Sequence, residues 1–232
     1  MMKKDLLMRN PLRQLGYSRE DNLEDGAFGA ILARAGLGKT AFLVQIALHT
    51  MLRDRNVLHI SLDDPVDKVT LWYQEVFNLM AQSRQAIPTP ELWDGLLPHR
   101  FIMTFKVEGF SVPKLRERMT DLSEQGIFHP QTLIIDGLPF ESGMGPLLED
   151  LKQLCRATGV RSWFTVRTHR HEDPGPDGMP PQLGDVQNLF DIVLQLLPDG
   201  KDIHIRQLKG VAGGEQDTHL RFDPATMLIK AD

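Results

Sequence analysis

The residues best arranged for chemistry are Ala33-Arg34-Ala35-Gly36-Leu37-Gly38-Lys39-Thr40, a glycine-containing loop that ends in a lysine and a hydroxyl. Two glycines at this spacing let consecutive backbone N–H groups turn toward phosphate oxygens. Lys39 then reaches the β and γ phosphates, and the Thr40 hydroxyl can ligate Mg²⁺. Ala35, Gly36, Leu37, Gly38, Lys39, Thr40 and Ala41 are therefore assigned to a nucleotide, ATP in preference to GTP. A plain glycine turn before a core helix is the competing reading, and the strand, loop and helix context argues against it. Asp136 closes the apolar run Leu133-Ile134-Ile135, where a carboxylate can hold Mg²⁺ together with Thr40; a helix cap is the alternative. Asp63 and Asp64 follow a different apolar run, and either can orient and deprotonate an attacking water. Asp64-Pro65 is also an ordinary helix start, so one carboxylate is free to cap while the other acts.

These side chains need strands that end together and helices that begin there. The apolar pattern alternates short β-rich runs with longer helical ones, which predicts an α/β fold with a parallel sheet covered by helices. Strands are expected at 29–33, 57–62, 101–105, 132–135 and 160–166. Helices are expected over 39–52, 69–80, from the cap Ser111 to Gly126, and 145–158 ending at Gly159. Pro88, Pro90 and Pro98 predict an irregular connection, and 169–184 a polar loop that moves most readily. The tail changes character. Runs 192–197 and 203–208 flank Pro198-Asp199-Gly200-Lys201, a hairpin signal, and 220–222 with 227–229 add short strands, so the sheet should become antiparallel at one edge.

The chain has 232 residues, 41% hydrophobic and 25% charged, with a net charge of −5. That is the balance of one large domain, and it gives no broad basic footprint for nucleic acid. The basic opening segment loses its apolar run at Arg9, too early for a secretory core, and no membrane-length apolar stretch follows, so the expected location is the cytoplasm. Cys155 falls within the series Leu147, Leu148, Leu151 and Leu154 and reads as a helix-face core residue.

The P-loop with Ala41-Phe42, then Val57-Leu58-His59-Ile60-Ser61-Leu62-Asp63-Asp64-Pro65, then Leu133-Ile134-Ile135-Asp136, resembles the RecA-like ATPase core of DnaB-type helicases and KaiC-type ATPases. The similarity covers residues 26–222. It implies a three-layer RecA-like domain at 26–232 after an extension at 1–25. In that family an alanine commonly opens the P-loop, and the acidic residue after the second strand is the catalytic carboxylate, which falls on Asp63 or Asp64. The family norm there is glutamate, and aspartate reaches about an ångström less far. The end of the strand 163–166 resembles the place of a γ-phosphate-sensing polar residue, with Thr168 and its neighbours Arg167 and His169 as candidates. After the hairpin the family places a lysine and, two residues on, an arginine that reach a neighbouring subunit's nucleotide. This chain has Lys209 and Val211, so the trans arginine is missing from its expected position.

Several other features are read as structural. His169, His171, Glu172 and Asp173 are dense in metal-ligand types, but a His-x-His on a polar loop is usually solvated. Trp72, Tyr73, Trp93 and Trp163 are not interleaved with basic residues and read as core or groove aromatics. Lys114, Arg116 and Arg118, interrupted by Glu117, read as a solvated helix face. The expected function is a slow Mg²⁺-dependent ATPase acting as a nucleotide switch, biasing the loop 169–184 toward a protein partner, with a homo-oligomer allowed by the resemblance. The second reading is a DnaB- or RecA-type nucleic-acid-dependent ATPase, disfavoured by acidic charge, the missing arginine and the short extension. A third is a small-molecule phosphotransferase using Arg167 and Arg170 over the phosphates.

Overall fold

The fold described here is that of a computed structural model covering residues 2–7, 11–14, 23–82, 89–169, 175, 178–210 and 216–231. Nine strands form one sheet: β1 (Phe28–Ala33), β2 (Val57–Ser61), β3 (Arg100–Thr104), β4 (Thr132–Asp136), β5 (Arg161–Arg167), β6 (Ile192–Asp199), β7 (Asp202–Lys209), β8 (Gln216–Asp223) and β9 (Leu228–Ala231). Their spatial order is β3-β2-β4-β5-β1-β6-β7-β8-β9. Neighbours are parallel from β3 through β6 and antiparallel from β6 through β9. The expected parallel sheet with an antiparallel C-terminal edge is therefore what forms. β1 and β2 are buried throughout because helices cover both faces, which is why their sequences show no alternation.

The helices are α1 (Met2–Leu7), α2 (Pro11–Gln14), α3 (Lys39–Met51), α4 (Val66–Gln82), α5 (Pro90–Leu96), α6 (Val112–Glu124), α7 (Gly145–Thr158) and α8 (Pro181–Gly184). One face of the sheet packs on α3 and α4 with inward-facing residues such as Phe42, Leu48, Tyr73 and Phe77. The other packs on α6 and α7 through Leu115, Met119, Leu148, Leu151 and Cys155. A fully buried side chain of this size stabilises by roughly 1.5–3 kcal/mol. The core on the α3 side thus holds the first helix after the P-loop in place. α7 ends where expected, with Gly159 left-handed at φ 67°. The 198–201 hairpin signal matches the β6–β7 turn, where Asp199 faces Asp202.

Four local expectations need correction. The Pro-rich connection before β3 is not wholly irregular: Thr89 accepts a cap hydrogen bond from Leu92 N and starts α5, with Pro90 at the first helical position. A 3₁₀ turn over Leu97–His99 follows. The segment before β1 contains α1 and α2, whose Leu6 and Leu12 are each 3% exposed and join the core against α3 and α4. Ser111 occupies the N-cap position of α6, yet its side chain makes no cap hydrogen bond. Within the polar loop, α8 forms and buries Leu183. Arg170, His171, Glu172, Asp173 and Val211, on which the zinc, phosphotransferase and missing-arginine readings rest, lie outside the described residues, as does Pro88.

Cys155 is buried, its Sγ is 3.1 Å from Ser162 Oγ, and burial pushes its thiol up to about 11, which fits an inert core residue. Tyr73 and Trp163 are buried, and Arg100 lies over the Tyr73 ring at 4.9 Å from its centroid. No helix among the described residues is long and apolar enough to cross a membrane.

Candidate functional site

Parallel pairing brings the carboxyl ends of β1, β2, β4 and β5 to one edge of the sheet, where the chain turns into loops. The P-loop leaves β1 there. Gly36 and Gly38 adopt left-handed backbone at φ 78° and 83°, which permits the reversal into α3. At Gly36 an added Cβ would enter open space. At Gly38 it would stand 2.5 Å from Phe222 Cε1 and 3.1 Å from Met227 Sδ, so β8 and the turn after it press directly on the loop. Phe222 also packs on Phe42 of α3, with ring centroids 6.0 Å apart, and Gln45 Nε2 donates to Met227 O at 2.8 Å. Ala35 and Gly36 are exposed, while Leu37, Gly38, Lys39 and Thr40 are half-buried. Ala41 is fully buried, so only its backbone can serve a ligand.

Lys39 Nζ donates to Ala33 O at 3.1 Å and Arg34 O at 3.0 Å, which holds the ammonium within the arc of the loop. Burial lowers its pKa, offset by Asp136 and Asp63 and reinforced by Arg167. Thr40 Oγ1 donates to Asp136 Oδ2 at 2.8 Å. The other oxygen, Oδ1, accepts from Thr165 Oγ1 at 2.6 Å, and Thr165 Oγ1 in turn accepts from Gly137 N at 3.0 Å. Asp136 is thus oriented from both sides. Burial raises its pKa, and the hydrogen bonds from Thr165 and Thr40 oppose that rise. Thr165 was not among the sequence candidates; its one available signal is a polar residue buried within the apolar strand β5.

The structure separates Asp63 from Asp64. Register pairs Ser61 with Asp136, and Leu62 N donates to Asp136 O at 2.9 Å, so the turn after β2 lies against the end of β4. The Asp63 side chain stands over Gly137, where an added Cβ would come within 2.6 Å of its Cγ and Oδ2. Its pKa is raised by burial first, then by the nearby charges of Asp136 and Asp64. Asp64 is committed elsewhere: its backbone is tied to Ser61 Oγ, and its carboxylate pairs with Lys68 at 2.8 Å, one turn into α4. Two mutually repelling carboxylates beside a threonine hydroxyl form a donor set that suits a hard divalent cation, which would remove the repulsion.

Thr168 is held at the P-loop, its N–H donating to Ala33 O at 3.0 Å. Arg167 pairs in register with Ala33 and is exposed; His169 is exposed too. Lys209 is not brought to this cluster. It ends β7 opposite Val193, near the start of β6 and hence toward the far end of the sheet, and its Nζ donates to Gln187 O at 2.9 Å. Any contact it makes with a nucleotide would have to be with one held by another copy.

Strand order and site together define the RecA-like P-loop ATPase fold. The chain is similar to a solved ATPase domain of the DnaB-like replicative helicase class, with a TM-score of 0.63 at 18% identity over 89% of this chain and 84% of that one. It is also similar to a DnaB-like replicative helicase whose structure describes its interactions with primase, with a TM-score of 0.62 at 17% identity over 86% of this chain. This chain spans 56% of that helicase's length. No protein-family profile matches the sequence, and no curated protein matches it.

Proposed function

We propose that the chain binds Mg·ATP on residues 35–41 and hydrolyses it slowly, acting as a nucleotide-dependent switch in the cytoplasm. The observation that supports this most is the hydrogen-bonded line Thr40–Asp136–Thr165 beside Lys39, with Asp63 over Gly137 at its end. The residues present fit the ligand. Gly36 leaves open space on the loop that a phosphate can occupy, and the coupled carboxylates suit its metal. Bound Mg²⁺ would be held by Thr40 and, directly or through water, by Asp136, and would neutralise phosphate charge. Asp63 is the residue we assign to the attacking water. Water oxygen forms the new bond to the γ phosphorus, the bond to the β-phosphate oxygen breaks, ADP leaves with that electron pair, and the water proton passes to the Asp63 carboxylate.

Calorimetry with ATP and GTP on the wild type and Lys39→Ala tests the reading. ATP binding that disappears in a folded Lys39→Ala protein is the expected result, and unchanged binding refutes it. The likeness to a replicative helicase supports a second reading, a nucleic-acid-dependent ATPase. Tight, ATP-dependent binding of single-stranded DNA at physiological salt would establish that one instead; the net charge of −5 argues for weak binding.

A further inference from the structure

We infer that Arg167 is a catalytic residue acting in cis: it lies at the end of β5 beside the P-loop, where its guanidinium can grip the γ-phosphate held by its own chain. This rests on the nucleotide reading above. β5 is hydrogen-bonded to β1, and Arg167 stands opposite Ala33, one strand spacing or about 4.8 Å away in backbone terms. The bond from Thr168 N to Ala33 O fixes that end of β5 against the loop. Arg167 is exposed, and its guanidinium makes no hydrogen bond or ion pair with any described residue.

Its neighbours point to an anion. Arg167 lies close enough to Lys39 to lower the lysine's pKa and close enough to Asp63 to oppose the rise there. Two cations set side by side repel in the free protein, and a ligand carrying negative charge between them reverses that cost. A planar guanidinium can take two phosphate oxygens at once, which Lys39 as a point charge cannot. As water attacks and the bond to ADP breaks, charge spreads over the equatorial γ-oxygens and the departing β-phosphate oxygen, and a cation fixed there stabilises the transition state more than bound ATP. Lys209, at the far end of the sheet, supplies no such charge to its own chain's loop.

Arg167→Ala and Arg167→Lys are compared with the wild type by calorimetry with ADP, and with ADP plus aluminium fluoride and Mg²⁺ as a mimic of the transferring phosphoryl group. Arg167→Ala should hold ADP within about twofold of wild type while losing about 10²-fold or more in affinity for the aluminium fluoride complex, the scale of removing one transition-state donor. Arg167→Lys should fall between. Turnover should drop in parallel, with a specific rate independent of protein concentration. An Arg167→Ala protein that binds the aluminium fluoride complex as tightly as wild type, with ADP binding intact, overturns the inference alone. A wild type that binds no nucleotide removes the parent reading and this inference with it.

Discussion

Replacing Gly38 with alanine probes two constraints that meet at one atom. Its φ of 83° lies in the left-handed region, where an L side chain costs roughly 1–2 kcal/mol. The new methyl would also stand 2.5 Å from Phe222 Cε1 and 3.0 Å from Cζ. The ring cannot simply swing aside, because it is buried and packed on Phe42. Overpacking of this kind costs a further 1–3 kcal/mol or so. Gly36 serves as the control, since it shares the left-handed backbone but meets nothing within 4 Å. Gly36→Ala should therefore cost about 1–2 kcal/mol, and Gly38→Ala about 2–5 kcal/mol, a large part of the stability of an ordinary domain. In urea, a loss of about 3 kcal/mol lowers the midpoint by about 1–1.5 M at an m-value of about 2–3 kcal/mol/M. Phe222→Leu in the Gly38→Ala background should recover part of the loss, with a coupling of about 1–3 kcal/mol in a double-mutant cycle. Equal costs for the two glycines, or zero coupling to Phe222, would refute the claim that β8 presses on the loop.

Asp63→Asn should cut ATP turnover by about 10²-fold or more with nucleotide binding kept, whereas Asp64→Asn, which only breaks a pair with an exposed lysine, should change stability by under about 1 kcal/mol and turnover little; steady-state rates beside urea midpoints check both. Gly137→Ala, at φ 85°, must push the Asp63 carboxylate from its place, so a stability loss of about 1–2 kcal/mol should accompany a turnover loss of about 10²-fold, measured as kcat with KM nearly unchanged. Burial raises the pKa of Asp136, so the folded state binds its proton more tightly than the unfolded state, and this group's destabilisation is full above its folded pKa and relieved as pH falls through it. Asp136→Asn should accordingly stabilise the metal-free protein at neutral pH by about 0.5–2 kcal/mol, flatten its stability at acid pH and abolish Mg²⁺-dependent nucleotide binding; thermal melts across pH with and without Mg²⁺ decide it.

The parallel strands were readable because burial on both faces leaves unbroken apolar runs, and Asp136 stands out as the charge that ends one of them. The P-loop was readable because its glycines, lysine and threonine are contiguous. What could not be read depends on register between segments far apart in the chain. Asp63 and Asp64 are equivalent as letters, and only the pairing of Ser61 with Asp136 turns one toward Gly137 while Lys68 takes the other. Thr165 acquires its part through β5 lying beside β4, and the remoteness of Lys209 follows from β7 running antiparallel to β6. α5 was hidden because prolines signal both a break and a helix start, and Thr89 decides between them.

The contact of Phe222 with Gly38 bears on the order in which the protein is made. A ribosome completes the phosphate loop and α3 long before it reaches β8, so the nascent chain carries an intact motif whose wall has not yet been synthesised. Until β8 and β9 arrive, Phe42 lacks its partner ring and Gln45 has no Met227 carbonyl to bond. A product cut short before Phe222 would still contain residues 33–40 letter for letter. It would nonetheless present them on an unsupported helix, and a search for the motif alone would count it as competent.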